Sequence, residues 1–127
     1  MLTLNAYLWV AFGGALGSMS RFGLGAAMLR LTGPRFPWGT LLINVIGSFI
    51  IGYFGARFAT GGRLPVPDEI KVFVLVGFCG GFTTFSSFSL QTFELFRAGE
   101  PTLGILYIAG SVILCLIAVG VAVLLAQ

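Results

Sequence analysis

Gly77-Phe-Cys-Gly-Gly-Phe-Thr-Thr-Phe-Ser-Ser-Phe-Ser89 decides how this chain is read. The stretch lies inside an uncharged run from Val72 to Phe93, long enough to cross a bilayer. Its three glycines and five hydroxyls do not suit a helix facing lipid, because glycine weakens a helix and hydroxyls seek partners. Irregular backbone at membrane depth is tolerated only where it is buried in protein or lines a cavity. The run is centred near Phe82, so the helix is expected to break at Gly80-Gly-Phe-Thr83, near the midplane. Transporters and channels place their ion sites at that depth.

The rest of the chain fits a membrane protein. Its 127 residues are 57% hydrophobic and 9% charged, against about 25% charged in soluble domains. The charged residues are Arg21, Arg30, Arg35, Arg57, Arg63, Asp68, Glu69, Lys71, Glu94, Arg97 and Glu100. Between them lie four long neutral runs, 2–20, 36–56, 72–93 and 101–127. Each is near the ~20 residues that span ~30 Å of hydrocarbon. The expected fold is all-α and integral to the membrane. It is one membrane domain over 1–127, with four transmembrane helices at about 4–30, 36–57, 68–96 and 101–126. The first run lacks the basic start and the small-residue cleavage site of a signal peptide. Cys79 and Cys115 fall inside apolar runs and read as small buried hydrophobes, not as a disulfide or a metal site. The lipid bilayer is the expected surrounding, and no nucleic-acid partner is expected.

Loop charge does not choose an orientation. With four spans, Arg57, Arg63 and Lys71 share one side and Arg30, Arg35 and Arg97 the other, with Arg21 placed inside the first helix. Lys and Arg in loops normally set which side faces the cytoplasm. A balance of three against three allows insertion both ways up, and two opposed copies can then pair as an antiparallel dimer. A single orientation set by weaker signals is the other reading. Gly13-x-x-x-Gly17 and Gly52-x-x-x-Ala56 are small-residue pairs that allow close helix contact.

Several polar groups sit where lipid cannot satisfy them. Asn44 lies mid-span in Gly39-Thr-Leu-Leu-Ile-Asn-Val-Ile-Gly-Ser48 and must face protein, water or a ligand. An interhelical hydrogen bond would satisfy it. Thr40 and Ser48, four residues to either side, make a stripe on the same face that favours a pathway. Arg21 either snorkels to the interface or is buried, where it is paired or lines a vestibule that attracts anions. No mid-membrane carboxylate offers itself as a partner. Phe85 and Phe88 share one helical face, with Phe82 a turn before, among Thr83, Thr84, Ser86, Ser87 and Ser89. Such a stripe reads as core packing or as a mixed lining. In the second case ring edges, positive in the aromatic quadrupole, meet a desolvated anion to which hydroxyls donate. Tyr107 and Ser111 add a pair one turn apart on the last span. An interrupted helix also leaves carbonyls unpaired, and carbonyl oxygen suits a hard cation such as Na⁺.

Three segments resemble the Fluc (CrcB-type) fluoride channels of bacteria: Arg21-Phe-Gly23, Trp38-Gly-Thr-Leu-Leu-Ile-Asn-Val-Ile-Gly47 and Gly77-Phe-Cys-Gly-Gly-Phe-Thr-Thr-Phe-Ser-Ser-Phe88. The resemblance covers all four spans. It implies an antiparallel, dual-topology homodimer in the bacterial inner membrane. Two pores would pass F⁻ outward passively and so give fluoride resistance. It implies that Phe85 and Phe88 line the pore, that Asn44 is the pore asparagine, and that Arg21 is the basic residue of an aqueous vestibule. Ser86, Ser87 and Ser89 match hydroxyls near the fluoride path, and Thr40, Tyr107 and Ser111 match its polar track. Gly80 and Thr83 match residues whose carbonyls hold a structural Na⁺ at the dimer interface. Cys115 stands where a further hydroxyl would extend the track.

Two other functions fit the sequence less well. A small four-helix drug/proton antiporter needs a titratable acid deep in the membrane, and the only candidate, Glu94, abuts a loop. A non-transporting membrane assembly protein leaves the polar stripes unexplained. No enzyme is expected: there is no His, no pair of carboxylates within the bundle and no metal-ligand cluster.

Overall fold

The computed structural model describes residues 2–127 and is helical throughout, with no strand among the described residues. Helix α1 spans Leu4–Thr32 and α2 spans Trp38–Phe58. The third apolar segment, Asp68–Arg97, is composite. It opens with a short helix α3 (Asp68–Lys71), widens into a π-helical stretch (Val72–Phe78) and tightens into α4 (Cys79–Phe82). After a break it resumes as α5 (Phe85–Arg97), and α6 (Pro101–Ala126) follows. Three segments are long and apolar enough to cross a membrane: Trp38–Phe58, Asp68–Arg97 and Pro101–Ala126. At 29 residues α1 is long enough, but Asn5, Ser18, Ser20 and Arg21 make it less apolar than the others.

Helix α2 lies along α6, and α1 lies along the π-helical stretch and α4. Helix α5 packs on α6 and barely meets α2. The turn between α5 and α6 is tight because Gly99 takes a positive φ of 76° and Glu100 N–H returns to Leu95 C=O at 3.0 Å. Pro101 then starts α6 in the first-turn position that suits it.

The contact between α1 and the third segment is made of missing side chains. A Cβ on Gly13 would collide with Phe73 C=O, and one on Gly17 with Phe78 C=O. The Gly13-x-x-x-Gly17 pattern therefore does mark a close backbone approach. Gly52 makes the corresponding contact of α2, where a Cβ would lie 2.9 Å from Val119 C=O. One small buried cluster is built on Leu41, Phe88, Leu95 and Tyr107. Large apolar side chains such as Phe12, Phe22, Leu116 and Leu124 face outward from several helices, as lipid permits and water does not.

Candidate functional site

The break falls at Thr83 and Thr84, both extended (ψ 159° and 111°). This corrects the expectation of a break starting at Gly80: the chain stays helical through Phe82, and hydroxyls end the helix. Thr83 closes α4 by placing both its N–H (3.0 Å) and its Oγ1 (2.8 Å) on Cys79 C=O. Thr84 then caps α5, its Oγ1 accepting from Ser87 N–H at 3.1 Å. Gly81 serves close packing on Gly14, and Gly80 has open space beside its Cα.

Helix α2 brackets this gap. Asn44 Oδ1 accepts from Thr84 N–H at 2.8 Å, and Asn44 Nδ2 donates to Thr84 C=O at 3.1 Å. The side-chain amide thus replaces a peptide partner on both sides of one residue. One turn on, Gly47 leaves the room that the Thr83 methyl occupies. From α1, Arg21 donates its Nε–H to Gly81 C=O at 3.0 Å, and Ser18 Oγ lies 3.5 Å from the same oxygen. Arg21 makes no ion pair; the one among the described residues is Lys71 with Asp68.

These bonds determine which backbone groups remain free. In an unbroken helix Thr84 N–H would close on Gly80 C=O, and Ser87 N–H on Thr83 C=O. Asn44 takes the first amide and the Thr84 hydroxyl takes the second. The carbonyls of Gly80 and Thr83 are therefore left without their helical donors.

Phe85 and Phe88 lie side by side on α5, centroids 5.4 Å apart at 55°. Phe85 is 79% exposed and Phe88 only 9%. Phe82 does not continue their stripe, contrary to the helical spacing. It belongs to α4 and stacks on Phe78 (5.5 Å, 13°), because the two extended threonines turn α5 away. Phe88 meets Tyr107 at 5.1 Å, and the Tyr107 hydroxyl donates to Gln91 Oε1 at 2.8 Å. Gln91 is not among the residues that the sequence pattern singles out. It lies one turn beyond Phe88 on the same face, and that spacing was its available signal. Ser111, one turn from Tyr107, is buried with its hydroxyl unpartnered. The serines of α5 are mostly engaged locally: Ser89 Oγ donates to Phe85 C=O at 3.0 Å, and Ser86 Oγ lies 3.4 Å from Thr84 Oγ1.

Two clefts flank the break. One of about 630 Å³ is lined by Arg21, Thr40, Thr84, Ser87, Gln91 and Glu94 among others. The other, about 420 Å³, is lined by Asn44, Gly80, Thr83, Thr84, Phe85, Phe88, Ser111 and Cys115 among others. Thr84 borders both. The first holds the charged groups Arg21 and Glu94 with Gln91; the second holds Asn44, the Phe85–Phe88 pair, hydroxyls and the Gly80 and Thr83 residues.

A family model described as CrcB-like protein, Camphor Resistance (CrcB), matches residues 8–123. The chain belongs to this family. It is 52% identical over 113 residues to a protein of Methylocella silvestris named fluoride-specific ion channel FluC, covering 89% of this chain and 86% of the relative. It is 50% identical over 116 residues to a protein of the same name from Opitutus terrae, covering 91% and 88%. A third relative so named, from Methylobacterium radiotolerans, is 45% identical over 118 residues, covering 93% and 82%.

Proposed function

We propose that this protein is a fluoride-selective channel through which F⁻ leaves the cell passively across the bacterial inner membrane. The relatives' shared name supports the substrate. The observation that carries the reading within this chain is the Phe85–Phe88 pair set beside the Asn44–Thr84 bracket, between two clefts at a helix break. Glu94 is the one carboxylate that lines either cleft, and it sits near the end of α5, ten residues past the break; Asp68, Glu69 and Glu100 lie at segment ends. A proton-coupled antiporter has no titratable acid to work with at that depth.

Arg21 draws anions into the larger cleft, past Thr40 and Ser87. At the break F⁻ exchanges water for ring edges of Phe85 and Phe88 and for donors from Asn44 and nearby hydroxyls. Tyr107 and Ser111 continue the polar track along α6, with Ser86 and Ser89 on the opposite side of α5. Channel function needs only a path on which binding is favourable enough to enter and weak enough to leave.

The working unit in this proposal is an antiparallel, dual-topology homodimer. Each chain supplies four spans, α1 being the fourth, and the dimer holds two pores. The even loop charge, the exposed Phe85 and the open space beside Gly80 support a second copy closing the smaller cleft. Donor chemistry at the break fits Na⁺. Gly80 and Thr83 offer carbonyls whose helical donors are engaged elsewhere, and no carboxylate, so two copies would offer four neutral oxygens to one monovalent cation. When bound, the ion supplies positive charge and a tie between the copies.

Purified protein in liposomes is expected to release F⁻ and to retain Cl⁻. Equal release of both, or of neither, would count against the proposal. For topology, Arg63→Cys in native membranes should label from both sides; labelling from one side alone removes the antiparallel arrangement.

A further inference from the structure

We infer that Arg21 is a positioning residue for the cation site, acting through Gly81, in addition to any attraction it exerts on anions. This rests on the channel reading above. Its basis is the 3.0 Å bond from Arg21 Nε to Gly81 C=O. In a continuous helix that carbonyl would accept from Phe85 N–H. The extended Thr83 and Thr84 carry that amide away, so the oxygen would be orphaned at membrane depth. Arg21 fills the vacancy from α1, with Ser18 Oγ 3.5 Å from the same oxygen.

Orientation matters here because Gly80 and Gly81 are adjacent and lack Cβ atoms. Glycine's φ and ψ are the least restricted of any residue. A Cβ at Gly80 would meet nothing within 4 Å, so packing holds Gly81 against Gly14 and leaves Gly80 unsupported. The Gly81 carbonyl is held by a tertiary hydrogen bond, which anchors the chain one residue from Gly80 C=O and so limits where that carbonyl can turn. Arg21 is suited to this double duty. Its Nε–H serves the backbone, while its four Nη–H donors meet no protein acceptor among the described residues and stay available to the cleft. Lysine carries the same charge but lacks the planar fork.

The test compares wild type with Arg21→Lys. Thermal unfolding of detergent-purified protein is followed while Na⁺ replaces a bulky organic cation at constant ionic strength. F⁻ efflux from liposomes is then measured across the same Na⁺ range. The inference expects Arg21→Lys to need about tenfold more Na⁺ for the same stabilisation, as for losing one charge-assisted bond, and its efflux to recover at high Na⁺. Wild-type Na⁺ dependence in Arg21→Lys, with any flux defect relieved by raising F⁻ instead, overturns it. So does a wild type that conducts F⁻ with no response to Na⁺. A wild type that passes no F⁻ instead defeats the channel reading. Should Arg21→Lys not fold at any Na⁺ concentration, Ser18→Ala decides. It removes the second donor to the same oxygen without touching charge, and about a twofold shift is expected; an unchanged Na⁺ dependence rejects the inference.

Discussion

The third apolar segment is fixed by opposite means in its two halves. Before the break it is held by absence: Gly13 and Gly17 of α1 bring backbone against the backbone of Phe73 and Phe78. Around the break it is held by added polar groups, with Arg21 at Gly81 just before it and Asn44 and the Thr84 hydroxyl at it, each standing in for a lost helical partner. The first contact tolerates no extra volume. The second depends in addition on each donor and acceptor at the break. A membrane protein needs both, because lipid offers no hydrophobic drive between helices and no water to satisfy a broken backbone.

The largest effect should come from breaking the first half. Gly17→Val puts a branched side chain onto Phe78 C=O and Phe82 N–H. Overpacking costs about 1–3 kcal/mol where neighbours can move, and more against backbone. Folded protein should be lost on gel filtration, and recovery of a normal peak would refute the close-approach account.

Next is Asn44→Ala, which deletes both bonds to Thr84 and leaves the backbone amide and carbonyl unpaired. A loss of about 2–3 kcal/mol is expected, with F⁻ efflux per folded protein falling at least tenfold. Unchanged melting would mean that the bracket is incidental.

Phe85→Ile and Phe88→Ile sharpen the comparison within α5. Phe88 belongs to the buried cluster with Leu41, Leu95 and Tyr107, whereas Phe85 is exposed. Phe88→Ile should cost up to about 1.5 kcal/mol and Phe85→Ile little. Both should lower F⁻ flux per folded protein. Normal flux in both variants would remove the ring-edge role and leave packing.

Thr84→Ala removes the cap of α5, at a cost of about 1 kcal/mol. Thr84→Ser should restore most of it. Equal melting temperatures for the two would show that the hydroxyl does not start the helix.

The smallest effect is expected from Tyr107→Phe. It keeps the ring against Phe88 and loses only the 2.8 Å bond to Gln91. Interhelical bonds of this kind average about 0.6 kcal/mol in a membrane. Melting should barely move, so any substantial fall in F⁻ efflux would report the hydroxyl's place in the path.

Residue type and spacing alone gave the all-helical membrane class, because hydropathy and backbone satisfaction leave a chain this apolar few other choices. They also gave the presence of a break in the third segment, since hydroxyl-rich sequence has no reason to face lipid, and the close approach at Gly13 and Gly17. Three things waited for the tertiary structure. The break begins at Thr83 because its hydroxyl finds Cys79 C=O and Asn44 reaches Thr84 from another helix. Phe82 leaves the aromatic stripe because helical periodicity does not survive two extended residues. Arg21 meets Gly81, and Tyr107 meets Gln91, because such bonds depend on how helices are placed in space. Local pattern says which groups need partners; only packing says which partner each one gets.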